Sequence, residues 1–448
     1  MNPKEFLSNC LEDEIDQGVL RFDREAYTNE ELFNLEMETI FEGNWVYACH
    51  ESQLSNPGDF LTLHLGRQPV VVLRDNEGEL KAYLNTCSHR GAMIVREAKG
   101  CKKTFSCPFH GWTFDLAGKL VDVPYEERGG YPAQFDKADY SLKQIPKLDS
   151  YRGFVFASFN AEVGSLESWL GDTRTFIDMI VDQAPEGLEV LAGSSTYTFK
   201  ANWKLGYENQ ADGYHAIATH GNYIRTVQNR EKLQQAGQDG SIRAMDLSAL
   251  AEDGTDGGFY DLDNGHVVLW WDWPAPQNRP SYPGYDGYIK KFGQNTADWM
   301  MQRARNVVLY PNVLFTDHMS MQIRVYRPVS VDYTEATIYC LGAKNEPAEV
   351  RNHRLRQYED FFNASGMATS DDAAEFEAQQ QGFAGSRFSR WNDLTRGITH
   401  LTDGADQKAQ DLGIEPLYSG SSMEDEQIMW AQCRHWRDTM LAYCDKAS

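Results

Sequence analysis

Two groups of side chains in this sequence could bind metal ions and perform redox chemistry. The first group consists of Cys87 and His89, separated by one residue, and Cys107 and His110, separated by two. Two thiolates and two imidazoles are the ligands of an iron–sulfur cluster in which histidines replace two cysteines on one iron, which raises the reduction potential. The same four residues could instead hold a structural zinc ion.

The arrangement of the first group favours the iron–sulfur cluster over zinc. Each motif combines one cysteine with one histidine, whereas zinc fingers usually place their cysteines together and their histidines together. Gly91 and Gly111 follow the two motifs closely, and glycine lets backbone amides approach bridging sulfides. The sequence therefore predicts a Rieske-type [2Fe-2S] cluster.

The second group contains Glu208, Asp212, His215 and His220. Two histidines beside carboxylates are the beginning of a 2-His-1-carboxylate site for non-haem Fe(II), which leaves positions open for oxygen. The two histidines stand about 140° apart around an ideal helix, so we expect the helix to end, widen or bend between them. The alternative is a buried helix whose histidines are paired with carboxylates without a metal. An electron-storing cluster in the same chain favours the iron site.

Further segments accompany the two motifs, among them residues 40–47, 107–112 and 358–363. On these residues the chain resembles, almost from end to end, the large (alpha) subunit of Rieske non-haem iron ring-hydroxylating dioxygenases. The benzoate, toluate, halobenzoate and anthranilate dioxygenase group is the most similar. The resemblance implies an α+β fold, with a β-rich Rieske [2Fe-2S] domain at 44–160. Residues 1–43 and 161–448 would form a helix-grip catalytic domain with an antiparallel sheet and a mononuclear Fe(2+).

The resemblance also implies roles for individual acids. The third iron ligand of the family is an aspartate in an Asp-Asp pair, which corresponds to Asp372 here, with Asp371 as the alternative. Asp212 would link a Rieske histidine of a neighbouring subunit to the iron site, and Glu208 would support the site rather than bind the metal. Because Ser370 precedes the acid pair, these residues also predict the first turn of a helix.

The implied reaction is the addition of both atoms of O2 to the ring of an aromatic carboxylate such as benzoate or anthranilate. The implied partners are a small beta subunit, an NADH-dependent reductase with flavin and [2Fe-2S], and further alpha subunits in an alpha3beta3 assembly. A Rieske monooxygenase or demethylase remains the nearest alternative, followed by a plain electron carrier and a zinc-binding structural protein. The sequence departs from the family at Gln210 and Gly221, where a glycine and a bulkier residue are expected.

Composition is consistent with a cytoplasmic enzyme. The chain has 448 residues, enough for two domains, and 66 acidic against 42 basic residues, a net charge of −24. This charge disfavours nucleic acids and anionic membranes as partners. The sequence shows neither a membrane-spanning apolar run nor a signal-peptide pattern. Its 8 cysteines are too few for a disulfide framework and are expected to be reduced.

Hydrophobic periodicity predicts the elements that position these motifs. Strands at 61–65 and 70–73 and a hairpin at 113–120 would place both Cys/His motifs on loops. The remaining predicted elements are helices at 169–181, 203–218 and 349–363 and strands at 189–199, 307–313, 321–329 and 336–342.

Other segments are predicted to have no direct part in the chemistry. Residues 228–258 are polar and glycine-rich, and form either a lid near the substrate entrance or a surface insertion. Trp270, Trp271 and Trp273 are predicted to pack in the core, although alternate members could line a pocket. The histidines predicted not to be ligands are His266, His318, His353, His400 and His435.

Overall fold

The computed structural model describes residues 2–236 and 255–447. The chain divides into two compact units, Met37–Leu166 and the combination of Met1–Glu36 with Glu167–Ser448. Within the described ranges, no helix is both long enough and apolar enough to cross a bilayer. The middle of the predicted loop at 228–258 lies outside the described residues. Its first part belongs to the helix Gly221–Gln235, where a loop was predicted.

The Met37–Leu166 unit consists mainly of antiparallel strands. Its described strands form three small sheets, in the orders Leu80–Leu84, Gln68–Arg74, Asp59–Leu65, Lys99–Cys101; Lys147–Tyr151, Phe154–Ser158, Val46–His50; and Leu120–Asp122, Thr113–Asp115, Thr104–Ser106. The predicted strands and the hairpin are confirmed. The valines of Gln68–Arg74 are buried, as expected for a short apolar run in a core strand.

The other unit is built on one large antiparallel sheet. Ten strands of the described chain form it, in the order Leu188–Val190, Tyr333–Ala343, Met321–Ser330, Val313–Asp317, Arg303–Leu309, Val267–Asp272, Gly257–Asp261, Tyr418–Gly420, Thr402–Asp403, with Ser195–Phe199 also paired to Tyr333–Ala343. A smaller sheet contains Leu11–Glu14, Val19–Asp23 and Trp391–Asp393. The predicted α+β class is confirmed.

Helices of this unit carry His215 and Asp372, and Asp212 and His220 lie close to helix ends. Its described helices are Pro3–Leu7, Glu30–Glu36, Leu166–Leu170, Thr173–Val181, Trp203–Asn209, His215–Thr219, Gly221–Gln235, Tyr285–Phe292, Gln294–Met301, Ala348–Gln357, Met367–Gly382, Gln407–Leu412 and Gln427–Ala447. The helix predicted at 203–218 is interrupted after Asn209 and resumes at His215. This break allows the chain to turn between the two parts of the second motif.

The acid pair lies deeper in its helix than predicted. The helix Met367–Gly382 begins after Gly366, so Asp371 and Asp372 occupy its second turn rather than its N-terminus. Ser370 does not cap the helix, because its hydroxyl donates back to the carbonyl of Gly366 at 3.3 Å. The acid pair is therefore held rigidly, because the backbone of the second turn makes intrahelical hydrogen bonds.

A buried cluster around Glu36 anchors the helix Trp203–Asn209. The Glu36 carboxylate accepts hydrogen bonds from Trp203 Nε1 at 2.8 Å and Trp436 Nε1 at 2.7 Å, and it pairs with the ammonium of Lys204. Glu36 is fully buried, so its charge requires these partners. The cluster fixes the start of the helix that leads into the second metal motif.

Candidate metal centres

The two Cys/His motifs form loops with the same backbone hydrogen bonds. The N–H of Gly91 donates to the carbonyl of Cys87 at 2.9 Å, and the N–H of Gly111 donates to the carbonyl of Cys107 at 2.9 Å. Each cysteine N–H in turn donates to the carbonyl of the residue after the glycine, at 2.8 Å. Both glycines have positive φ, +74° and +75°, a conformation that glycine adopts at little cost.

The loops place their side chains in a common arrangement. Cys87 and Cys107 are buried in the apolar core of their unit, whereas the rings of His89 and His110 lie nearer the surface, with centroids 4.7 Å apart. Burial raises the pKa of the Cys87 thiol. His89 stacks on Trp112 with an interplanar angle of 11°. Two buried thiols and two adjoining imidazoles fit the mixed ligand set of a Rieske cluster.

Two histidines of the second motif meet Asp372 at one point. His215 is the first residue of the helix His215–Thr219, and His220 follows its last turn. His220 Nε2 lies 3.3 Å and His215 Nε2 3.5 Å from Asp372 Oδ1. One ligand atom from each residue falls within a group no wider than 4.8 Å. The predicted end of the helix between the two histidines is confirmed.

This geometry fits a single metal ion. With metal–ligand distances of about 2.1 Å, ligand atoms around one ion lie about 3.0–3.4 Å apart, close to the two distances that join the histidines to Asp372 Oδ1. The Nδ1 atoms of His215 and His220 are buried and make no hydrogen bond in the described structure. Two imidazoles and one carboxylate form the facial set typical of non-haem Fe(II). Residues 208–220 are thus more than a buried helix with paired histidines.

The histidines and carboxylates of the site shift one another's pKa values. Burial would lower the pKa of His215, but the adjacent carboxylates of Asp212 and Asp372 outweigh it and raise the pKa to about 10. Burial would raise the pKa of Asp372, but His215, His220 and Arg324 bring it below its usual value. A bound divalent cation would replace the proton of His215, since metal binding requires neutral imidazoles.

Asp212 and Asp371 lie at the back of the two imidazoles. Asp212 Oδ2 is 3.6 Å from His215 Nδ1, and Asp371 Oδ2 is 3.8 Å from His220 Nδ1. Asp371 therefore approaches the nitrogen of His220 that faces away from Asp372. This placement favours Asp372 as the third ligand and gives Asp371 an outer position.

Glu208 is a supporting residue in the structure. Its Oε1 accepts a hydrogen bond from the Tyr27 hydroxyl at 2.7 Å. Burial raises the pKa of Glu208 to about 7, although the hydrogen bond from Tyr27 and the charge of Lys204 act in the opposite direction. Glu208 is not part of the three-residue ligand group found among the described residues.

The amide of Asn209, which the sequence did not single out, contacts the ligand group, and the amide of Gln210 contacts Asn209. Asn209 Nδ2 lies 3.2 Å from His215 Nε2 and 3.4 Å from Asp372 Oδ1. Gln210, where the family resemblance suggested glycine, donates from Nε2 to Asn209 Oδ1 at 2.8 Å. The departure at this position therefore has a structural role, because Gln210 fixes the orientation of Asn209.

A concave cavity opens beside the ligand group, as is usual for small-molecule sites. Its wall combines side chains from one face of the large sheet with side chains from the helices and the C-terminal segment. The lining residues are Asn209, Gln210, Asp212, Gly213, His215, Ala216, His220, Leu269, Trp271, Asn306, His318, Arg324, Phe361, Phe362, Ala368, Asp372 and Met423. A mostly apolar, aromatic wall suits a planar ring.

The sheet contributes residues that the sequence did not indicate. His318 is outside the ligand group, as predicted, but it lines the cavity and its Nε2 lies 2.8 Å from Asn306 Oδ1. Trp271 lines the cavity, whereas Trp270 and Trp273 are buried away from it. The histidines predicted to be ordinary and found outside the cavity are His266, His353, His400 and His435.

Two segments of the chain match models of known protein families. Residues 44–151 match the Rieske [2Fe-2S] domain, and residues 188–441 match the ring hydroxylating alpha subunit (catalytic domain). The chain is 47% identical over 438 residues to the toluate 1,2-dioxygenase subunit alpha of Pseudomonas putida, covering 98% of this chain and 94% of that protein.

Two further similarities extend over most of the chain. It is 46% identical to the anthranilate 1,2-dioxygenase large subunit of Acinetobacter baylyi over 97% of this chain and 93% of that protein. The solved structure of naphthalene 1,2-dioxygenase with indole bound superimposes with a TM-score of 0.81 at 25% identity, covering 94% of this chain and 92% of that one.

Proposed function

Because the chain belongs to the ring-hydroxylating dioxygenase alpha subunits, we propose that it is the terminal oxygenase that adds both atoms of O2 to the ring of an aromatic carboxylate. The observation that carries the proposal is the aromatic-lined cavity that opens directly onto His215, His220 and Asp372. Relatives named for toluate and anthranilate are 47% and 46% identical, whereas one named for biphenyl is 29% identical. Benzoate and anthranilate are therefore the first substrates to test.

Two metal groups follow from the family. We assign the [2Fe-2S] cluster to Cys87, His89, Cys107 and His110. The mononuclear Fe(2+) is assigned to the ligand group described above, with Asp212 as the residue that connects the two centres across a subunit interface. When bound, the cluster supplies an electron and the iron activates O2.

The protein's own residues position the substrate and protect the reaction. Trp271, Phe361 and Phe362 offer ring faces and edges for a planar aromatic substrate. Gln210 and Asn209 form a chain of amides that orders the donors beside the ligand group. Leu269 contributes apolar surface, which limits water near the reacting carbons.

The proposed partners are those of a multicomponent oxygenase. We propose a small beta subunit, an alpha3beta3 assembly, and an NADH-dependent reductase with flavin and [2Fe-2S]. We propose that the Rieske domain spans 44–160 and that the catalytic domain combines 1–43 with 161–448. The compact units and the two matched segments lend support to them. A cytoplasmic location is consistent with described cysteines that form no disulfide bonds.

Labelled oxygen provides the direct test. Purified oxygenase with both iron centres verified is reduced, mixed with benzoate, anthranilate and other aromatic acids, and exposed to ¹⁸O₂. We expect two labelled atoms in the product of one acid, read by mass spectrometry. A single labelled atom would instead indicate a monooxygenase, and no product from any acid would remove the proposed substrate class.

A further inference from the structure

Arg324 is the one lysine or arginine among the described residues that line the cavity. It lies on the strand Met321–Ser330, opposite Leu314 on one neighbour and Ile338 on the other. By strand alternation it shares a sheet face with Gln322 and Tyr326. The large sheet therefore directs a cation into the space beside the proposed iron ligands.

The guanidinium of Arg324 is incompletely paired. Its Nη2 donates to Thr369 Oγ1 at 3.1 Å, while its buried Nε makes no hydrogen bond. Within the described ranges, it forms no ion pair with any carboxylate within 4.0 Å. The residue is 2% exposed. A guanidinium has five donors and stays protonated in proteins. The positive charge of Arg324 is therefore buried, and among the described residues none of its donors binds a carboxylate.

Other buried arginines in the same unit differ in this respect. Arg279 and Arg305 both pair with Asp317, and Arg354 pairs with Glu346 at 2.9 Å. Each of these three buried arginines, which lie outside the cavity lining, is therefore neutralised by a buried carboxylate. Arg324 instead faces a cavity, and an unpaired buried charge is costly unless a partner arrives.

We propose that Arg324 binds the carboxylate of the aromatic acid substrate, an assignment that rests on the proposed function. The planar guanidinium fork matches both oxygens of a carboxylate, which lysine would not do. With its acid group at Arg324, the substrate keeps its ring inside the same cavity as Trp271, Phe361 and Phe362. Arg324 is then the residue that selects acids over neutral aromatic rings.

A structural role for Arg324 is the competing explanation. Thr369 lies in the same helix as Asp372, and the Arg324–Thr369 hydrogen bond connects the sheet to that helix. If this bond were the whole purpose of Arg324, its loss would weaken iron binding and would affect charged and neutral ligands alike. Binding of two ligands of equal shape and different charge separates the two roles.

The test measures equilibrium binding of benzoate and nitrobenzene to the oxygenase, with both iron centres loaded, by anaerobic calorimetry without reductant. Nitrobenzene has nearly the same shape as benzoate but no net charge. For Arg324→Gln we expect benzoate affinity to fall roughly 30- to 150-fold, in line with the loss of a charged, buried hydrogen-bonded pair. Nitrobenzene affinity should change less than about 3-fold, and iron content should stay at the wild-type level.

Matched variants control for folding. Arg354→Gln removes a buried arginine outside the cavity and should leave the ratio of the two affinities unchanged. Arg324→Lys keeps the charge and should restore part of the benzoate affinity. Equal losses for both ligands, or no loss for benzoate, would overturn the assignment.

A crystal structure tests the assignment without any variant. Substrate conversion by the wild-type enzyme tests the proposed function separately. In a crystal structure of the wild-type oxygenase with benzoate, the carboxylate should lie within hydrogen-bonding distance of Arg324; a carboxylate bound elsewhere would overturn the assignment even if Arg324→Gln failed to fold. A wild-type enzyme that oxidises neutral rings and neither binds nor converts any acid would contradict the substrate class. If the wild-type enzyme converts benzoate and the Arg324→Gln variant binds benzoate with unchanged affinity, the role of Arg324 is contradicted while the proposed function stands.

Discussion

Asp212 and His215 contact each other through both backbone and side chain. Asp212 Oδ1 accepts a hydrogen bond from the N–H of His215 at 3.1 Å, while Asp212 Oδ2 lies 3.6 Å from His215 Nδ1. The first contact satisfies a free N–H at the start of the helix His215–Thr219. The second places a carboxylate behind a proposed iron ligand, an arrangement that orients metal-binding histidines.

Asp212→Asn should lower turnover by roughly 10- to 100-fold while both metal centres remain loaded. The amide keeps an oxygen for the backbone hydrogen bond but loses the negative charge beside His215. The measurement combines product formation with iron analysis and the spectrum of the reduced cluster. Product formation at the wild-type rate would exclude the connecting role proposed for Asp212.

Asp372→Ala should remove the mononuclear iron, while Asp371→Ala should retain it. Asp372 Oδ1 lies close to the Nε2 atoms of both histidines, whereas Asp371 contacts only the far side of His220. Metal analysis of the purified proteins should show loss of the third iron per chain in the first variant alone. The opposite result would make Asp371 the ligand.

Gly111→Ala should disturb the iron–sulfur cluster more than Gly91→Ala. Both positions have positive φ, which costs a non-glycine residue roughly 1–2 kcal/mol. At Gly111 an added Cβ would also lie 2.8 Å from Pro124 Cγ, while at Gly91 it would meet nothing within 4 Å. Cluster content, followed by visible absorbance, should therefore be lower in the Gly111 variant. Equal occupancy would show that the contact with Pro124 relaxes without cost.

Because of His266, the unit that contains the large sheet should lose folding stability as the pH falls. His266 Nδ1 accepts a hydrogen bond from the N–H of Tyr310 at 3.0 Å, and its Nε2 lies 3.0 Å from the carbonyl of Trp169. This pairing requires the neutral ring, and burial lowers the pKa of His266 to about 3. Because the folded pKa lies below the unfolded value of about 6.5, the stability contributed by His266 is complete above pH 6.5. It is lost as the pH falls from there towards 3.

Denaturant unfolding at pH 7.5 and pH 5.0 tests this expectation. Wild type should lose about 2 kcal/mol through His266 alone over this interval. His266→Gln should be less stable at pH 7.5 and should show a correspondingly smaller change with pH. His353→Gln, at an exposed position, serves as the control and should behave like wild type. Identical pH dependence in all three proteins would contradict the assignment to His266.

Local patterns were sufficient to find the ligands that lie near one another in the chain. Cys87 with His89 and His215 with His220 could be recognised from residue type and spacing. Asp372 could not, because Asn209 and Asp372, which contact in the structure, are separated by 163 residues. Its identification depended on the resemblance to a known family. The depth of Asp372 in its helix was mispredicted, since Ser370 before two acids is also the pattern of a helix start.

The residues that line the cavity could not be predicted from the sequence. Asn306 and Arg324 lie on different strands and His318 directly follows the strand between them, so their common face depends on the register between these strands. A shift of one residue would direct each side chain to the opposite face of the sheet. Histidine type alone gave no reason to prefer His318 over His266, although one lines the cavity and the other is enclosed in the core.

The Glu36 cluster has a consequence for the order in which the protein matures during synthesis. Trp436 follows Glu36 by 400 residues, and ribosomes add roughly 5–20 residues per second. Glu36 therefore waits on the order of 20–80 s for one of its three donors. The helix Trp203–Asn209 also depends on this carboxylate. The Glu36 cluster can thus be completed only when the helix Gln427–Ala447 has left the ribosome, although Trp203 and Lys204 are available much earlier.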